Sequence, residues 1–341
     1  MGVQLSDIIE KEKISIDSLK GRKISIDAFN TLYQFLSIIR QFDGSPLKDS
    51  QGRVTSHLSG LFYRTVRLFE KEIRPAYVFD GEPPVMKEET VEERKKIRAE
   101  AKEKWEEAVI RGDMENARKY AQASSKLTAE MIEESKKLLE YMGVPVIQAP
   151  SEGEAQAAYI AAKGDVWASA SQDYDSLLFG SPILIRNLTI TGKRKLPGKS
   201  VYVDVLPEKI SLQTVLDELK ISREDLIEIA MIIGTDFNKG VKGIGPKKAL
   251  ALVKAGKTVE EVYKEHNISE DIDFKKLRSF FLNPPVTKNY KLEWKKVNEE
   301  KLIELLVEEH DFSIDRIKNG IEKLLKAYEN KGTQARIDRW F

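Results

Sequence analysis

The sequence predicts an α/β fold, a central, mostly parallel twisted sheet flanked by helices, with a mainly helical second half. Three observations predict it. Five short apolar runs read as buried strands, helical patterns lie between them, and helical periodicity takes over from Leu212 onward. Strands that alternate with helices feed a parallel sheet. Apolar runs of four or five residues suit strands covered on both faces.

In chain order, strand Lys23–Ile26 (KISI) leads into a helix over Thr31–Arg40, and a second helix over Ser56–Lys71 precedes strand Ala76–Phe79 (AYVF). The stretch Lys87–Lys104 (KEETVEERKKIRAEAKEK) has strong helix formers but almost no apolar stripe. It reads either as a solvated helix or linker, or as a helix bridging open space above a cleft. The helix Thr128–Tyr141 begins on a capping residue and stops before Gly143, a residue suited to follow a helix. Strand Val144–Gln148, helix Glu154–Lys163 and strands Val166–Ala170 and Pro182–Arg186 come next. Leu226–Gly234 is an apolar helix, Gly240–Gly245 a glycine-rich turn, and Pro246 opens another helix. Glu299–Glu309 and Ser313–Ala327 read as packing helices, and the residues after Gly332 as a tail.

Composition narrows the chemistry. The 341 residues, 41% apolar and 33% charged, can build a sizeable core. No apolar run approaches the roughly 18 residues of a membrane helix, and MGVQLSDIIEKEK lacks the basic and apolar regions of a signal peptide. Both point to a protein that stays inside the cell. The absence of cysteine excludes disulfides, thiolate catalysis and zinc–thiolate sites. His57, His266 and His310 are scattered, so a metal would be held by oxygen, which selects magnesium or manganese. The net charge of +1 is a poor signature of nucleic-acid binding, but acids gathered at one metal site would leave the remaining surface more basic. The richness in Lys and Glu also fits a thermophile.

Six acids follow four strands. Asp27 follows KISI, Asp80 follows AYVF, Glu152 and Glu154 follow VPVIQ, and Asp173 and Asp175 follow VWASA. The carboxyl ends of parallel strands share one edge, where ligands bind, so these acids are expected to converge. Taken singly each has another reading. Asp27 and Asp80 can cap turns, Ser151 with Glu154 makes a capping box, and Asp173-Tyr174-Asp175 can be an Asx-type turn. Taken together they repel one another and call for cations. Two divalent ions roughly 3.5–4 Å apart would neutralise them and suit phosphodiester hydrolysis. A phosphatase forming an aspartyl-phosphate, which usually carries a second acid two residues after the nucleophile, fits less well: Asp27 is followed by Ala28 and Phe29, Asp80 by Gly81 and Glu82, and Asp173-Tyr174-Asp175 has the spacing but stands alone on a late strand.

At this point six motifs in order carry a resemblance: ISIDAFNTLYQFL (24–36), TSHLSGLFYRTVRL (55–68), YVFDGEPP (77–84), QAPSEGEAQAAY (148–159), SQDYDSLLFG (171–180) and GTDFNKGVKGIGPKKAL (234–250). The chain resembles the structure-specific flap endonucleases of the xeroderma-pigmentosum-G nuclease superfamily, most closely the archaeal type. The resemblance implies a PIN-like nuclease core with a helical arch, and a two-metal Mg2+ site, with Mn2+ as an alternative ion, built from Asp27, Asp80, Glu152, Glu154, Asp173, Asp175 and Asp236. Asp27 and Asp80 would surround one ion with help from Glu152 and Glu154, and Asp173, Asp175 and Asp236 would lie nearer the second. Lys87 and Arg94 match the family's phosphate-contacting pair, seven residues and two helical turns apart. Tyr33 matches a tyrosine on which a base stacks, or is a helix-face aromatic of the core. Gly2 and Arg40 match DNA-binding positions.

The Gly243-Ile244-Gly245-Pro246 turn brings backbone and helix-terminal N–H groups toward phosphate among Lys242, Lys247 and Lys248. The resemblance makes this a helix-hairpin-helix-type element (about 226–256) that binds duplex backbone and K+. The end of the chain, with Gln334, Ile337, Trp340 and Phe341, fits a sliding-clamp (PCNA) interaction box; otherwise it folds back on its own domain. The expected organisation is a nuclease region over 1–98, an arch segment over 99–115, an internal nuclease region over 116–258, a C-terminal helical region over 259–331 and the tail over 332–341. The implied function is removal of 5′ flaps in replication (Okazaki fragment maturation) and base-excision repair, with associated 5′–3′ exonuclease activity, by a cytoplasmic protein that is a monomer on its own. The alternatives are a catalytically silent, clamp-bound junction binder and a bubble-cutting relative. The short spacer between Asp80 and Glu152 favours the flap enzyme.

Overall fold

A computed structural model describes residues 2–41, 43–195, 202–268 and 272–337, with backbone alone at 114, 118, 193–195, 202–203 and 330–337. Nine strands lie among them: β1 (Glu12–Lys13), β2 (Lys23–Asp27), β3 (Arg74–Phe79), β4 (Val146–Gln148), β5 (Ala168–Ala170), β6 (Ile183–Arg186), β7 (Gly192–Lys195), β8 (Tyr202–Val205) and β9 (Glu208–Ser211). Seven form one sheet in the order β1-β9-β6-β5-β2-β3-β4, and β7 and β8 pair separately. All five expected strands are present, and β4, β3, β2, β5 and β6 run parallel. The antiparallel edge β9–β1 and the β7–β8 hairpin are additions. Their sequences (EK, EKIS, GKRK, YVDV) lack the apolar run that marks a covered strand.

Every residue of β3 is buried. Tyr77 and Phe79 enter one core while Ala76 and Val78 enter another, the alternation a strand covered on both faces requires. The first core is closed by α1 (Ala28–Ile38), α2 (Ser56–Glu70), and further along by α5 (Ala129–Tyr141) and α14 (Ile314–Ile337). Leu32, Phe35, Phe62, Phe69, Leu138 and Leu324 fill it, each essentially without solvent contact. Burying one such side chain stabilises by about 1.5–3 kcal/mol. Between α2 and α5 rises a helical hairpin of α3 (Glu88–Ile110) and α4 (Met114–Ala123). The hairpin extends on both sides of the span 99–115 expected for the arch segment: α3 runs unbroken from Glu88, and α4 carries the hairpin to Ala123. Buried Ala101 and Ala108 on α3 and Ala117 and Ala121 on α4 are the apolar residues that sequence inspection of 87–104 could not pair.

On the opposite face lies α6 (Gly153–Ala162), rich in alanine and joined to β2 through the Ser25 hydroxyl, which donates to the Ala157 carbonyl at 3.0 Å. Short α7 (Asp175–Leu178) follows β5. The remaining helices are α8 (Leu212–Leu219), α9 (Arg223–Ile233), α10 (Pro246–Lys254), α11 (Val259–Glu265), α12 (Phe274–Leu282) and α13 (Glu299–Ile303). Val3, Leu5, Phe179, Ile229, Phe237 and Phe281 are among the buried residues of a further core, separate from the one that Ala76 and Val78 enter. The expected tail also differs. The last helix does not stop near Ala327 but continues through Gly332 to Ile337. A glycine inside a helix costs about 1 kcal/mol, which the helix formers around it can offset.

From β2 the chain steps outward to β3 and β4, then returns to the other side of β2 for β5 and β6. That reversal opens a crevice beyond the carboxyl ends of β2 and β5, the place where open α/β sheets bind ligands.

Candidate active site

The seven acids gather along that edge. Asp27 ends β2 and is the N-cap of α1, accepting the Asn30 N–H at 3.0 Å. Asp80, just after β3, accepts the Gly153 N–H at 2.7 Å, so the end of one strand is fastened to the start of α6. Gly153 has no alternative here: a Cβ would stand 2.5 Å from the Asp80 Oδ1. The capping box expected at Ser151 and Glu154 does not form. Glu152 occupies the N-cap with no side-chain cap, and Glu154 instead accepts from the Ser176 hydroxyl at 3.4 Å. Asp173 accepts from Asn30 Nδ2 at 2.9 Å, and Asp175 accepts the Val3 N–H at 2.8 Å. Gly2 lies against this pair, where a Cβ would meet Asp173 Cβ at 2.6 Å and Asp175 Oδ1 at 2.7 Å.

Asp236 arrives from the second half of the chain. The turn after α9 is held by Asn238, whose Nδ2 donates to the Met231 carbonyl and the Tyr263 hydroxyl and whose Oδ1 accepts from Thr235. That turn delivers Asp236 opposite the arch. Arg94 Nη2 meets Asp236 Oδ1 at 2.5 Å, and Lys87 Nζ stands 2.6 Å from Glu152 and 3.6 Å from Asp236. Lys239 pairs with Glu89 at the base of α3.

Electrostatics binds the acids into one group. Burial and then the neighbouring Asp80 carry Asp27 well above the usual carboxylate range. Burial, and then Glu152, push Asp80 up to about 7; burial, then Asp173 and Asp236, push Asp175 up to about 7. Glu154 is raised by burial and by Asp175, Asp27 and Asp173 in that order. For Lys87 burial works the other way, but Glu152 and Asp236 outweigh it and raise the ammonium above its ordinary value.

An oxygen-only donor set under mutual repulsion fits hard divalent cations. Among the described residues, though, no three acidic or histidine side chains are drawn in around a single point as an ion's ligands would be. Their oxygens are taken up by N–H donors and by the two arch cations. The fit is therefore one of donor chemistry and charge.

Tyr33 is half-buried rather than a core aromatic, and the Arg98 guanidinium covers its ring at 4.7 Å. Arg40 is engaged within the protein. Its guanidinium donates to the Gly44 carbonyl (2.8 Å) and the Ser125 hydroxyl (2.7 Å), with Nε buried, so it joins the loop after α1 to the residues that follow α4. Pro246 is the first residue of α10 and Gly245 its N-cap, with no side-chain cap on the terminal N–H groups. Gly243, at φ +86°, turns the chain there, and Lys242, Lys247 and Lys248 are exposed around it. Gln334 and Ile337 lie on the last stretch of α14, where backbone alone is described; Trp340 and Phe341 lie outside the described residues.

Sequence reasoning missed Asn30, Arg98 and Arg186. Arg98 was within reach of it, four residues after Arg94 and so on the same helix face. Asn30 and Arg186 take their meaning from partners more than a hundred residues away or across the sheet, which no local pattern records.

Residues 1–101 match the XPG N-terminal domain and residues 143–236 the XPG I-region. Flap endonuclease 1 of Pyrococcus abyssi is 57% identical over 342 residues, covering 100% of this chain and 98% of that protein. Flap endonuclease 1 of Staphylothermus marinus is 58% identical over 349 residues, covering 100% of both. Among solved structures, flap endonuclease-1 from Methanococcus jannaschii is similar with a TM-score of 0.78 and 47% identity over 97% of this chain and 100% of that one. The catalytic core of Rad2 in complex with DNA substrate shares the fold, with a TM-score of 0.72, 23% identity, and coverage of 95% and 100%.

Proposed function

The chain belongs to the flap endonuclease 1 group of the XPG nucleases, and from that premise we propose how its acids, arch and hairpin carry out the reaction. It is a structure-specific 5′-flap endonuclease that hydrolyses phosphodiesters in DNA replication and repair. The observation that carries the finer reading is the row of coupled carboxylates at the sheet's switch point, beneath two cations of the arch.

Asp27 and Asp80, with Glu152, would hold one Mg2+, and Asp173, Asp175 and Asp236 the other, with Glu154 shared. Bound there, the two ions would acidify a water and neutralise charge on the phosphate and the leaving oxygen. The chain's own groups do the rest. Lys87 and Arg94 move from Glu152 and Asp236 to the scissile phosphate, where fixed cations stabilise the charge that develops. Tyr33 exchanges Arg98 for the base beside the cut, a contact that tolerates any sequence. The uncapped N-terminus of α10 and Lys242, Lys247 and Lys248 hold the duplex backbone without reading bases, with K+ bound at the same turn. Gln334, Ile337, Trp340 and Phe341 dock on the sliding clamp, and the enzyme works in the cytoplasm on flaps and, as an exonuclease, on 5′ ends.

The test is cleavage of a 5′-flap, a bubble and a blunt duplex with and without Mg2+. The flap alone is cut rapidly, and only with the ion. Asp175→Asn abolishes that cleavage and leaves junction binding within about threefold, because positioning contacts lie elsewhere. Normal turnover by Asp175→Asn removes the assignment of the acids.

A further inference from the structure

Asp173 stands on the four-residue turn Ser171–Tyr174 between β5 and α7, and Asp175 is the first residue of α7; carboxylates that repel one another do not hold such a turn in place by themselves. One guanidinium does. Arg186, the last residue of β6, donates from Nε to the Gln172 carbonyl at 2.9 Å, the carbonyl of the residue before Asp173. Its Nη1 donates to the Tyr174 hydroxyl at 2.8 Å, and its carbon lies 4.4 Å from the Tyr174 ring centroid. Tyr174, between the two acids in sequence, is 3% exposed. We infer that Arg186 is a positioning residue for the Asp173–Asp175 pair, acting through Gln172 and Tyr174 and not on DNA.

Three features carry this. The contacts are charge-assisted, and so stronger than neutral hydrogen bonds. They grip the turn at two points that bracket Asp173, while Asn30 holds the Asp173 carboxylate itself and Val3 that of Asp175. Glu208 on β9, the register partner of Arg186, meets the same Nη1 at 3.0 Å. An unpaired arginine here would cancel part of the negative field that draws cations to the edge. Paired with Glu208, it orients the turn and leaves that field standing. The antiparallel strand β9, between β1 and β6, thereby acquires a function: it supplies the counter-charge.

The inference rests on reading Asp173 and Asp175 as ion ligands. It is tested with the full-length chain as Arg186→Met, Arg186→Lys and Tyr174→Phe, beside Asp175→Asn. Outer partners of metal ligands are worth about 10–100-fold in affinity or activity. Arg186→Met is therefore expected to lose kcat on a 5′-flap by about 10–100-fold, with KM for DNA nearly unchanged. Calorimetric binding of Mn2+ to the DNA-free protein is expected to weaken by a similar factor, and excess Mn2+ to restore part of the rate. Arg186→Lys recovers part of both, and Tyr174→Phe loses less than Arg186→Met in the same direction. Wild-type Mn2+ affinity and kcat in Arg186→Met overturn the inference. If that variant does not fold, Tyr174→Phe decides, since it keeps the ring and removes only the hydroxyl; unchanged Mn2+ affinity there overturns it equally. Full activity of Asp175→Asn would instead remove the reading of the acids on which it rests.

Discussion

His310 lies 2% exposed between two carboxylates, 3.0 Å from Asp49 and 3.2 Å from Glu134, and His57 reaches the other oxygen of Glu134 at 3.0 Å. Arg53 adds a contact to Asp49 at 2.7 Å. Burial would raise Glu134, but hydrogen bonds from His310 and His57 outweigh it and hold it down to about 2. Burial would lower His310, yet Glu134 and Asp49 carry it above its ordinary value, against the pull of Arg53. The depressed Glu134 contributes stability above its unfolded pKa, lost as pH falls toward 2. The raised His310 contributes stability in full below its ordinary 6.5, lost as pH rises through its folded value. The cluster therefore stabilises most in the mildly acidic range. His310→Gln is expected to cost about 3–5 kcal/mol there, as broken buried pairs do, and to flatten the fall in Tm between neutral and alkaline pH. Equal Tm–pH curves for the two proteins would exclude this role. At the same scale the seven acids were legible because each follows a strand or a helix in a recognisable motif. Cap and site also proved compatible, since Asp27 serves α1 and the acidic edge with one carboxylate. The cross-sheet partners Asn30 and Arg186 were not legible, because a hydrogen bond spanning 143 residues leaves no mark in a local pattern.

Among elements, periodicity and caps located β2 to β6 and most helices, because those signals are local. The arch was half legible: its polar run was evident, but its packing depends on two alanines on each helix, and alanine carries no strong periodic signal. Once folded, α3 meets the acidic edge through charged contacts, Lys87 with Glu152, Arg94 with Asp236, and Glu89 with Lys239. Such a contact weakens with salt, since the screening length falls from about 10 Å at 0.1 M to about 3 Å at 1 M. Protease nicking near Ile110, which is 86% exposed at the arch tip, is expected to accelerate several-fold over that range in the DNA-free protein. It should accelerate without added salt in Arg94→Gln. A nicking rate indifferent to both would mean the arch is not held by these pairs.

Across the whole molecule, the acids come from both halves of the chain, Asp27 to Asp175 from the sheet edge and Asp236 from the turn after α9. The sequence order of motifs conveyed that assembly, while the topology that closes it, β3 and β4 on one side of β2 with β5 and β6 on the other, emerges only in space. The described chain ends on α14, and removing its last residues together with those beyond should separate two properties. Deleting residues 334–341 is expected to abolish stimulation by the sliding clamp and to leave unassisted flap cleavage intact; clamp binding that survives the deletion would refute the docking role. The opposite end offers no such freedom. Gly2 is buried against Asp173 and Asp175, and the Val3 amide is bonded to one of them. A peptide fused ahead of Gly2 starts beside those carboxylates, so an amino-terminal purification handle is expected to crowd the acidic edge, and an enzyme prepared with one would report the affinity of its own obstruction.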